Sequence, residues 1–112
     1  MLETRDEQGR LHSFDDQPAQ ILPSGQERWY RHGVLHRDGG PAIVHANGST
    51  KWYRDGVRHR DGDEPAAEYV NGTRKWYRDG LRHRDDGPAA IYPDGRRLWF
   101  DHGVLVRRSL SK

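Results

Sequence analysis

The chain has 112 residues, of which 32% are hydrophobic and 32% are charged, and its formal net charge is +2. Hydrophobic residues are too few for a thick globular core, and no apolar run approaches the roughly 20 residues that span a bilayer. The absence of cysteine excludes disulfides and thiolate metal sites. Four Trp, five Tyr and two Phe argue against disorder, so the composition predicts a thin, all-β single domain.

The sequence pattern divides the chain into three parts. Residues 1–8 form an N-terminal segment, residues 9–106 an array of about four repeats of 23–24 residues, and residues 107–112 a polar C-terminal tail. The N-terminal segment has no apolar stretch of the kind that a signal peptide requires. We therefore expect a cytoplasmic protein with no membrane partner.

Two series of glycines and one series of tryptophans define the repeat. The first series is spaced by 24, 23, 24 and 23 residues and consists of Gly9, Gly33, Gly56, Gly80 and Gly103. The members of the second series each precede a tryptophan by four residues and are Gly25, Gly48, Gly72 and Gly95. The tryptophans are Trp29, Trp52, Trp76 and Trp99. A period this regular is typical of stacked supersecondary units.

Each repeat contains two turn signals. Asn47-Gly48, Asn71-Gly72 and Asp94-Gly95 predict two-residue type I′ turns, which need positive φ at both central residues. The other turns are Asp55-Gly56 and Asp79-Gly80, with His32-Gly33 and His102-Gly103 as variants. Between the turns we expect strands of four to six residues, about two in each repeat. The prediction is an elongated antiparallel meander of stacked β-hairpins.

Two-residue loops would also determine which residues face each other. Around Asp79-Gly80, Trp76 should face His83 and Tyr77 should face Arg82. Around Asp94-Gly95, Ala90 should face Trp99 and Ala89 should face Phe100. Trp and His would then share one face of the sheet, and Tyr, Ala89 and Ile91 the other. The recurring alanines, which should let an aromatic side chain approach the backbone closely, are Ala19, Ala42, Ala66 and Ala89.

The repeat reads Trp-Tyr-x-Asp-Gly-x-x-His-x-x-x-Gly-x-x-x-x-x-x-Asp-Gly-x-x-x-Trp, with His-Arg-Asp-x-Gly-Pro-Ala at its centre. This pattern resembles the MORN repeat in its divergent bacterial and viral variant. The commoner form has Gly-x-Gly where this chain has Gly-Pro-Ala. The resemblance covers roughly residues 9–106. It implies that each repeat is a β-hairpin and that the hairpins stack into an elongated, twisted antiparallel sheet.

The recurring His-Arg-Asp triplet is a candidate for chemistry, and its copies begin at His36, His59 and His83. It matches part of the catalytic loop of protein kinases, but the other kinase motifs are missing. Three copies in register favour a structural role: a histidine packed on tryptophan, with a ring nitrogen bonded to an aspartate or a carbonyl. We expect no enzymatic activity and no cofactor.

Metal binding is also disfavoured by the sequence. Histidines that recur once per repeat would lie about 9–10 Å apart, because they are separated by two strands. A zinc ion needs ligand nitrogens about 2.1 Å from one centre, so this row cannot share a metal. The acidic cluster Asp61-Gly62-Asp63-Glu64 is too short for a calcium loop and predicts a solvated loop.

The best candidate for a binding surface is the alternation of Trp and Arg. Trp29/Arg31, Trp52/Arg54 and Trp76/Arg78 should lie on one face and could form a cation–π ladder. Such a ladder could hold the sheet together or bind a partner. Central repeats have neighbours on both sides, so the predicted partner-binding residues are Trp52, Tyr53, Arg54, Trp76, Tyr77 and Arg78.

The predicted function is a non-enzymatic module that binds another protein. The resemblance implies a bacterial antitoxin, an immunity protein or a phage-encoded inhibitor, whose partner would be a toxin, an effector or a host defence component. The alternative is binding of nucleic acid or nucleotide phosphate through the Arg and aromatic rows. The open edge strands of a meander also allow a homodimer.

Overall fold

The computed structural model describes residues 1–109 and contains sixteen β-strands and no helix in that range. In chain order the strands are β1 Leu2–Glu3, β2 Gln20–Ile21, β3 Glu27–Arg28, β4 Tyr30–Arg31, β5 Val34–Leu35, β6 Ile43–Val44, β7 Thr50–Lys51, β8 Tyr53–Arg54, β9 Val57–Arg58, β10 Ala67–Glu68, β11 Arg74–Lys75, β12 Tyr77–Arg78, β13 Leu81–Arg82, β14 Ala90–Ile91, β15 Arg97–Asp101 and β16 Val104–Ser109.

Ten strands form one antiparallel sheet in the order β1-β2-β3-β6-β7-β10-β11-β14-β15-β16. The strands that this order omits form three separate hairpins, β4-β5, β8-β9 and β12-β13. The molecule measures 50 × 25 × 18 Å, and its radius of gyration of 15.5 Å exceeds the roughly 13 Å expected for a compact domain of this length. The predicted elongated, all-β antiparallel meander in a single domain is therefore confirmed.

The Asp-Gly and His-Gly turns are two-residue turns with positive φ at both central residues. Asp55 and Gly56 have φ values of 51° and 85°, and Asp79 and Gly80 have φ values of 51° and 86°. This geometry is that of a type I′ turn, whose twist matches that of the strands it joins. The variants His32-Gly33 and His102-Gly103 have the same signs of φ.

The Asn-Gly turns are not type I′, so that prediction was wrong. At Asn47-Gly48 only the glycine has positive φ, 95°. His45 exchanges backbone hydrogen bonds with Gly48 and Ser49, and these bonds enclose a three-residue loop. Asn47 Oδ1 accepts the Ser49 N–H at 2.9 Å, a local bond that favours a type I turn followed by a glycine bulge. A positive glycine φ and the same two backbone hydrogen bonds also occur in the other turns of the second series, at Gly25, Gly72 and Gly95.

The third loop residue shifts the register of the strands around these turns by one position. Ala90 pairs with Leu98 instead of Trp99, so the predicted pairings of Ala90 with Trp99 and of Ala89 with Phe100 were wrong. Ala89 accepts the Trp76 N–H at 2.8 Å and therefore lies in the row of the tryptophans, not on the tyrosine face.

Around the type I′ turns the predicted register is confirmed. Tyr77 pairs with Arg82, and the His83 N–H donates to the Trp76 carbonyl at 3.2 Å.

The expected strands of four to six residues are interrupted at Trp29, Trp52 and Trp76, so most strands have only two residues, whereas β15 continues through Trp99. Trp52 donates its N–H to the Ala66 carbonyl of the large sheet at 2.7 Å and accepts the His59 N–H of its own hairpin at 3.2 Å. The chain therefore leaves the large sheet at tryptophan and continues into a small hairpin. The recurring alanines beside the tryptophans, Ala19, Ala42, Ala66 and Ala89, are fully buried.

A buried histidine joins each small hairpin to the next repeat. His59 Nδ1 accepts the Asp79 N–H at 2.9 Å, and His59 Nε2 bonds Asp61 at 2.8 Å. Beside this contact the Gly80 N–H donates to the Arg58 carbonyl at 2.8 Å. The predicted bond between a ring nitrogen of the triplet histidine and an aspartate is therefore confirmed. The same contact to the next turn is made by His12, His36 and His83 with the N–H groups of His32, Asp55 and His102.

The two ends of the sheet are built differently. The sequence placed Leu2–Glu3 in an N-terminal segment, and these residues form edge strand β1 beside β2. The sequence placed Arg107–Ser109 in the tail. These residues belong to β16 and pair with residues 97–99 at the other edge of the sheet. Val106, which replaces the expected histidine, is 62% exposed and lies where the register of β16 shifts. Residues 110–112 of the predicted tail lie outside the described residues.

We expect His59→Ala to lower the free energy of unfolding by about 1–3 kcal/mol, because the variant loses a buried ring and the Asp79 N–H loses its acceptor. His102→Ala is the control, since the His102 side chain is 68% exposed. Urea denaturation followed by circular dichroism measures both. Equal stability of the two variants would contradict the role assigned to the histidine.

Candidate partner-binding clefts

Three similar clefts lie along the array, one in each of three successive repeats. The central cleft has a volume of about 340 Å³, and its neighbours have volumes of about 330 and 240 Å³. Each is lined by the Trp-Tyr-Arg segment that opens a hairpin and by the His-Arg-Asp triplet that closes it. In the central cleft these residues are Trp52, Tyr53, Arg54, His59, Arg60 and Asp61. The row of clefts is the candidate site.

The arginine of the His-Arg-Asp triplet covers the tryptophan of its own repeat. The Arg60 guanidinium lies 3.8 Å from the Trp52 ring centre, and the Arg84 guanidinium lies 4.0 Å from that of Trp76. Hydrogen bonds to the Pro65 and Pro88 carbonyls, at 3.0 and 3.1 Å, hold these arginines in place. The predicted cation–π contacts of Trp52 with Arg54 and of Trp76 with Arg78 were therefore wrong. The arginines that stack on these rings are Arg60 and Arg84. The chain bends at each tryptophan, and the loop after the hairpin folds back over its ring.

Arg54 and Arg78 instead form ion pairs at the mouths of the clefts. Arg54 pairs with Asp61 at 3.0 Å and lies 3.9 Å from Asp79 of the next repeat. Arg78 pairs with Asp85 at 2.6 Å. Their side chains are 45% and 42% exposed, so both guanidinium groups remain accessible to a partner.

Tyr53 and Tyr77 border the clefts, but their hydroxyl groups contact an arginine outside them. Arg58 donates to both hydroxyl oxygens at 3.2 Å. Successive residues of a strand point to opposite faces, so these rings lie away from the neighbouring tryptophan and arginine. Of the six predicted site residues, the clefts therefore bring together the side chains of Trp52, Arg54, Trp76 and Arg78.

The tryptophans of neighbouring clefts are covered to different extents. Trp29 and Trp76 are 5% exposed, and their indole N–H groups donate to the carbonyls of Asp16 and Asp63 at 3.1 and 3.2 Å. Trp52 is half-buried, and within residues 1–109 its indole N–H has no hydrogen-bond partner. The loops that carry Asp16 and Asp63 are one residue longer than the loop that precedes Trp52. The central cleft consequently offers the most accessible tryptophan of the three.

Carboxylates outnumber arginines at the surface of the cleft row. The three triplet aspartates Asp38, Asp61 and Asp85 are 89%, 80% and 69% exposed. A second set, between neighbouring repeats, is 65–77% exposed and consists of Asp55, Asp79 and Asp101. Among residues 1–109 only Arg31, Arg54 and Arg78 oppose these six groups at the surface, because the arginines stacked on tryptophan pair with other acids. These pairs are Arg37 with Asp16, Arg60 with Glu68 and Arg84 with Asp63. The cleft row is therefore an acidic surface.

Within residues 1–109, two groups of histidine and aspartate lie close enough to suggest a metal site, and sequence reasoning missed both because each combines two repeats. They are Asp6, His12 and His32, and His83, Asp101 and His102. His12 and His83 accept a backbone N–H at Nδ1, at 3.0 and 2.9 Å. In a neutral ring the proton then lies on Nε2, so neither histidine keeps a lone pair for a metal. Hydrogen bonding between repeats accounts for both groups.

Comparisons of the chain with protein-family models, with curated proteins and with solved structures found no match. The resemblance to the MORN repeat therefore stays a prediction from the sequence pattern. Within residues 1–109 no helix has the length and hydrophobicity needed to span a membrane.

We expect Trp76→Phe to destabilise the protein by about 1–2 kcal/mol more than Trp52→Phe, because only Trp76 loses a buried N–H donor to a carbonyl. Thermal and urea denaturation of the two variants provide the measurement. A larger loss for Trp52→Phe would contradict the difference in cover between the two clefts.

The stability of the protein should fall in acid. A hydrogen bond from Arg78, supported by His83, lowers the pKa of Asp85 from its ordinary value of 3.8 to about 2. Because the pKa of Asp85 is lower in the folded state, this interaction contributes fully to the free energy of unfolding above the ordinary pKa. The contribution is lost as the pH falls through the folded-state pKa. Denaturation between neutral and strongly acidic pH should show a smaller acid loss for Asp85→Asn than for the unmodified protein. Parallel curves for the two proteins would contradict this assignment.

Proposed function

We propose that the chain is a non-enzymatic module that binds another protein through the cleft row. The observation that carries this proposal is the repetition of one cleft in three successive repeats, with the same residue types in the same positions. Aromatic side chains and arginine are enriched in protein interfaces, and both line each cleft. The antitoxin, immunity and phage-inhibitor roles implied by the MORN resemblance would each require such a protein partner.

The spacing of the clefts supports an extended partner segment. Neighbouring clefts are two strands apart, which corresponds to about 9.6 Å. A polyproline II helix advances by about 3.1 Å per residue and has three residues per turn, so side chains three residues apart point the same way and are separated by about this distance. Every third side chain of such a segment would meet an equivalent cleft.

The charge of the cleft row supports a basic segment. Six exposed carboxylates face three exposed arginines, so lysine or arginine at every third position of the partner would be electrostatically complementary. The same excess of carboxylates would repel phosphate groups. It therefore disfavours binding of nucleic acid on this face, which was the alternative function.

A labelled synthetic peptide of repeated Lys-Pro-Pro triplets tests the proposal by fluorescence anisotropy. We expect Asp61→Asn with Asp85→Asn to weaken binding about fivefold or more, because two cleft carboxylates lose their charge. Asp15→Asn with Asp94→Asn is the matched control, since both residues are exposed and lie outside the three clefts.

Two results would overturn the proposal. One is equal affinity of the cleft double variant and the control double variant for the lysine peptide. The other is equal or tighter binding of a peptide with Glu-Pro-Pro triplets to the unmodified protein. Circular dichroism of each variant would verify that the fold is intact.

A further inference from the structure

The face of the sheet opposite the clefts carries a set of cations without carboxylate partners. Lys51 and Lys75 directly precede Trp52 and Trp76, so strand alternation places them on the other face. Both pair with Ala67 of the strand between them, which puts them about 9.6 Å apart. Within residues 1–109, five cations form no ion pair with a carboxylate: Arg28, Lys51, Arg58, Lys75 and Arg82.

Aromatic rings alternate with these cations in two rows. In the first row Tyr69 lies between the two lysines, 5.9 Å from Lys51 Nζ and 5.5 Å from Lys75 Nζ. The Tyr92 ring centre follows, 5.8 Å from Lys75 Nζ. The Arg96 guanidinium, which unlike the lysines has a carboxylate partner at Asp94, lies 4.6 Å from that ring centre. All of these side chains except that of Arg96, which is exposed, are half-buried.

The second row continues the alternation over the small hairpins. The Arg58 guanidinium lies 5.9 and 5.2 Å from the ring centres of Tyr53 and Tyr77. Arg82 Nε lies 3.5 Å from the Tyr77 hydroxyl, and its guanidinium lies 5.2 Å from the ring centre of Phe100. We call the two rows together the basic–aromatic face.

The cations of this face repel one another. Desolvation, followed by the charges of Arg82, Arg58 and Lys51, lowers the pKa of Lys75. Burial raises the pKa of the Tyr77 hydroxyl, but the hydrogen bond from Arg82 and the charge of Arg58 outweigh it, and the net pKa lies below its ordinary value. A bound anion would relieve this repulsion, since the face contributes few carboxylates of its own.

We propose that the basic–aromatic face binds single-stranded nucleic acid. A single strand alternates phosphate groups with bases that have exposed π-faces, and the face alternates cations with aromatic rings. A duplex hides its bases in grooves that a helix or a ribbon must enter, and a broad sheet face has no such projecting element. An acidic peptide would use the cations but would have no bases to stack on the rings. This site is separate from the clefts and does not depend on the function proposed for them.

The test compares two double variants that remove the same charge from opposite faces. Lys51→Gln with Lys75→Gln alters the basic–aromatic face, and Arg54→Gln with Arg78→Gln alters the cleft row. The probe is labelled oligo(dT) of about 20 nucleotides, titrated between about 50 and 200 mM salt. For a single strand, two lost phosphate contacts should reduce the slope of log affinity against log salt by about 1.4. We expect this reduction, and weaker binding of about tenfold or more at low salt, only for the lysine variant.

Each contrary outcome would overturn the proposal. If both double variants lose the same affinity, the binding reflects net charge and not this face. If a duplex of the same length or a polyglutamate peptide binds as tightly as oligo(dT), the ligand is not a single strand. Absence of salt-dependent binding by the unmodified protein would also overturn it. Because the lysine side chains are half-buried, thermal denaturation would verify that the lysine variant is folded.

Discussion

The hydrogen bond from a turn N–H to a buried histidine of the preceding repeat is the contact on which the rest of the structure depends. His59 accepts at Nδ1 from Asp79 and bonds Asp61 through Nε2, so both ring nitrogens are occupied. The core of this chain is thin, and its fully buried residues are mainly alanines. Under those conditions the array needs directional contacts between repeats, and the histidine supplies one at each junction. The histidine of the triplet that looks catalytic in the sequence therefore connects neighbouring repeats.

The second organising feature is the separation of charge between the two faces of the sheet. The net charge of +2 suggests a balanced surface, yet the acidic groups collect along the clefts and the unpaired cations collect on the opposite face. The bends at Trp29, Trp52 and Trp76 produce this separation. It brings the His-Arg-Asp loop back over the tryptophan ring, so its aspartate joins the cleft face while the preceding lysine stays on the sheet. One repeat thereby contributes to two surfaces of opposite charge.

Much of the fold could be predicted from local patterns, and the errors have a common cause. The Asp79-Gly80 turn was predicted correctly because an aspartate and a glycine can both adopt positive φ. Asn47-Gly48 was predicted to be the same turn, but the Asn47 side chain bonds the backbone two residues ahead and adds a residue to the loop. Both conformations are compatible with the dipeptide, and the choice between them depends on the strands that the turn must connect. The one-residue error in register at Ala90 followed from this choice.

The sequence by itself determined the period, the positions of the turns, the all-β class and the residues available at each repeat. These properties are local: they follow from glycine spacing, from turn chemistry and from the alternation of side chains along a strand. Only the tertiary structure decided that Arg60, and not Arg54, covers Trp52, and that Lys51 and Lys75 share a face with Tyr69. Those contacts join residues from different strands and loops. Their geometry is determined by where the chain bends and which strand then lies beside it, and a linear pattern does not contain that information.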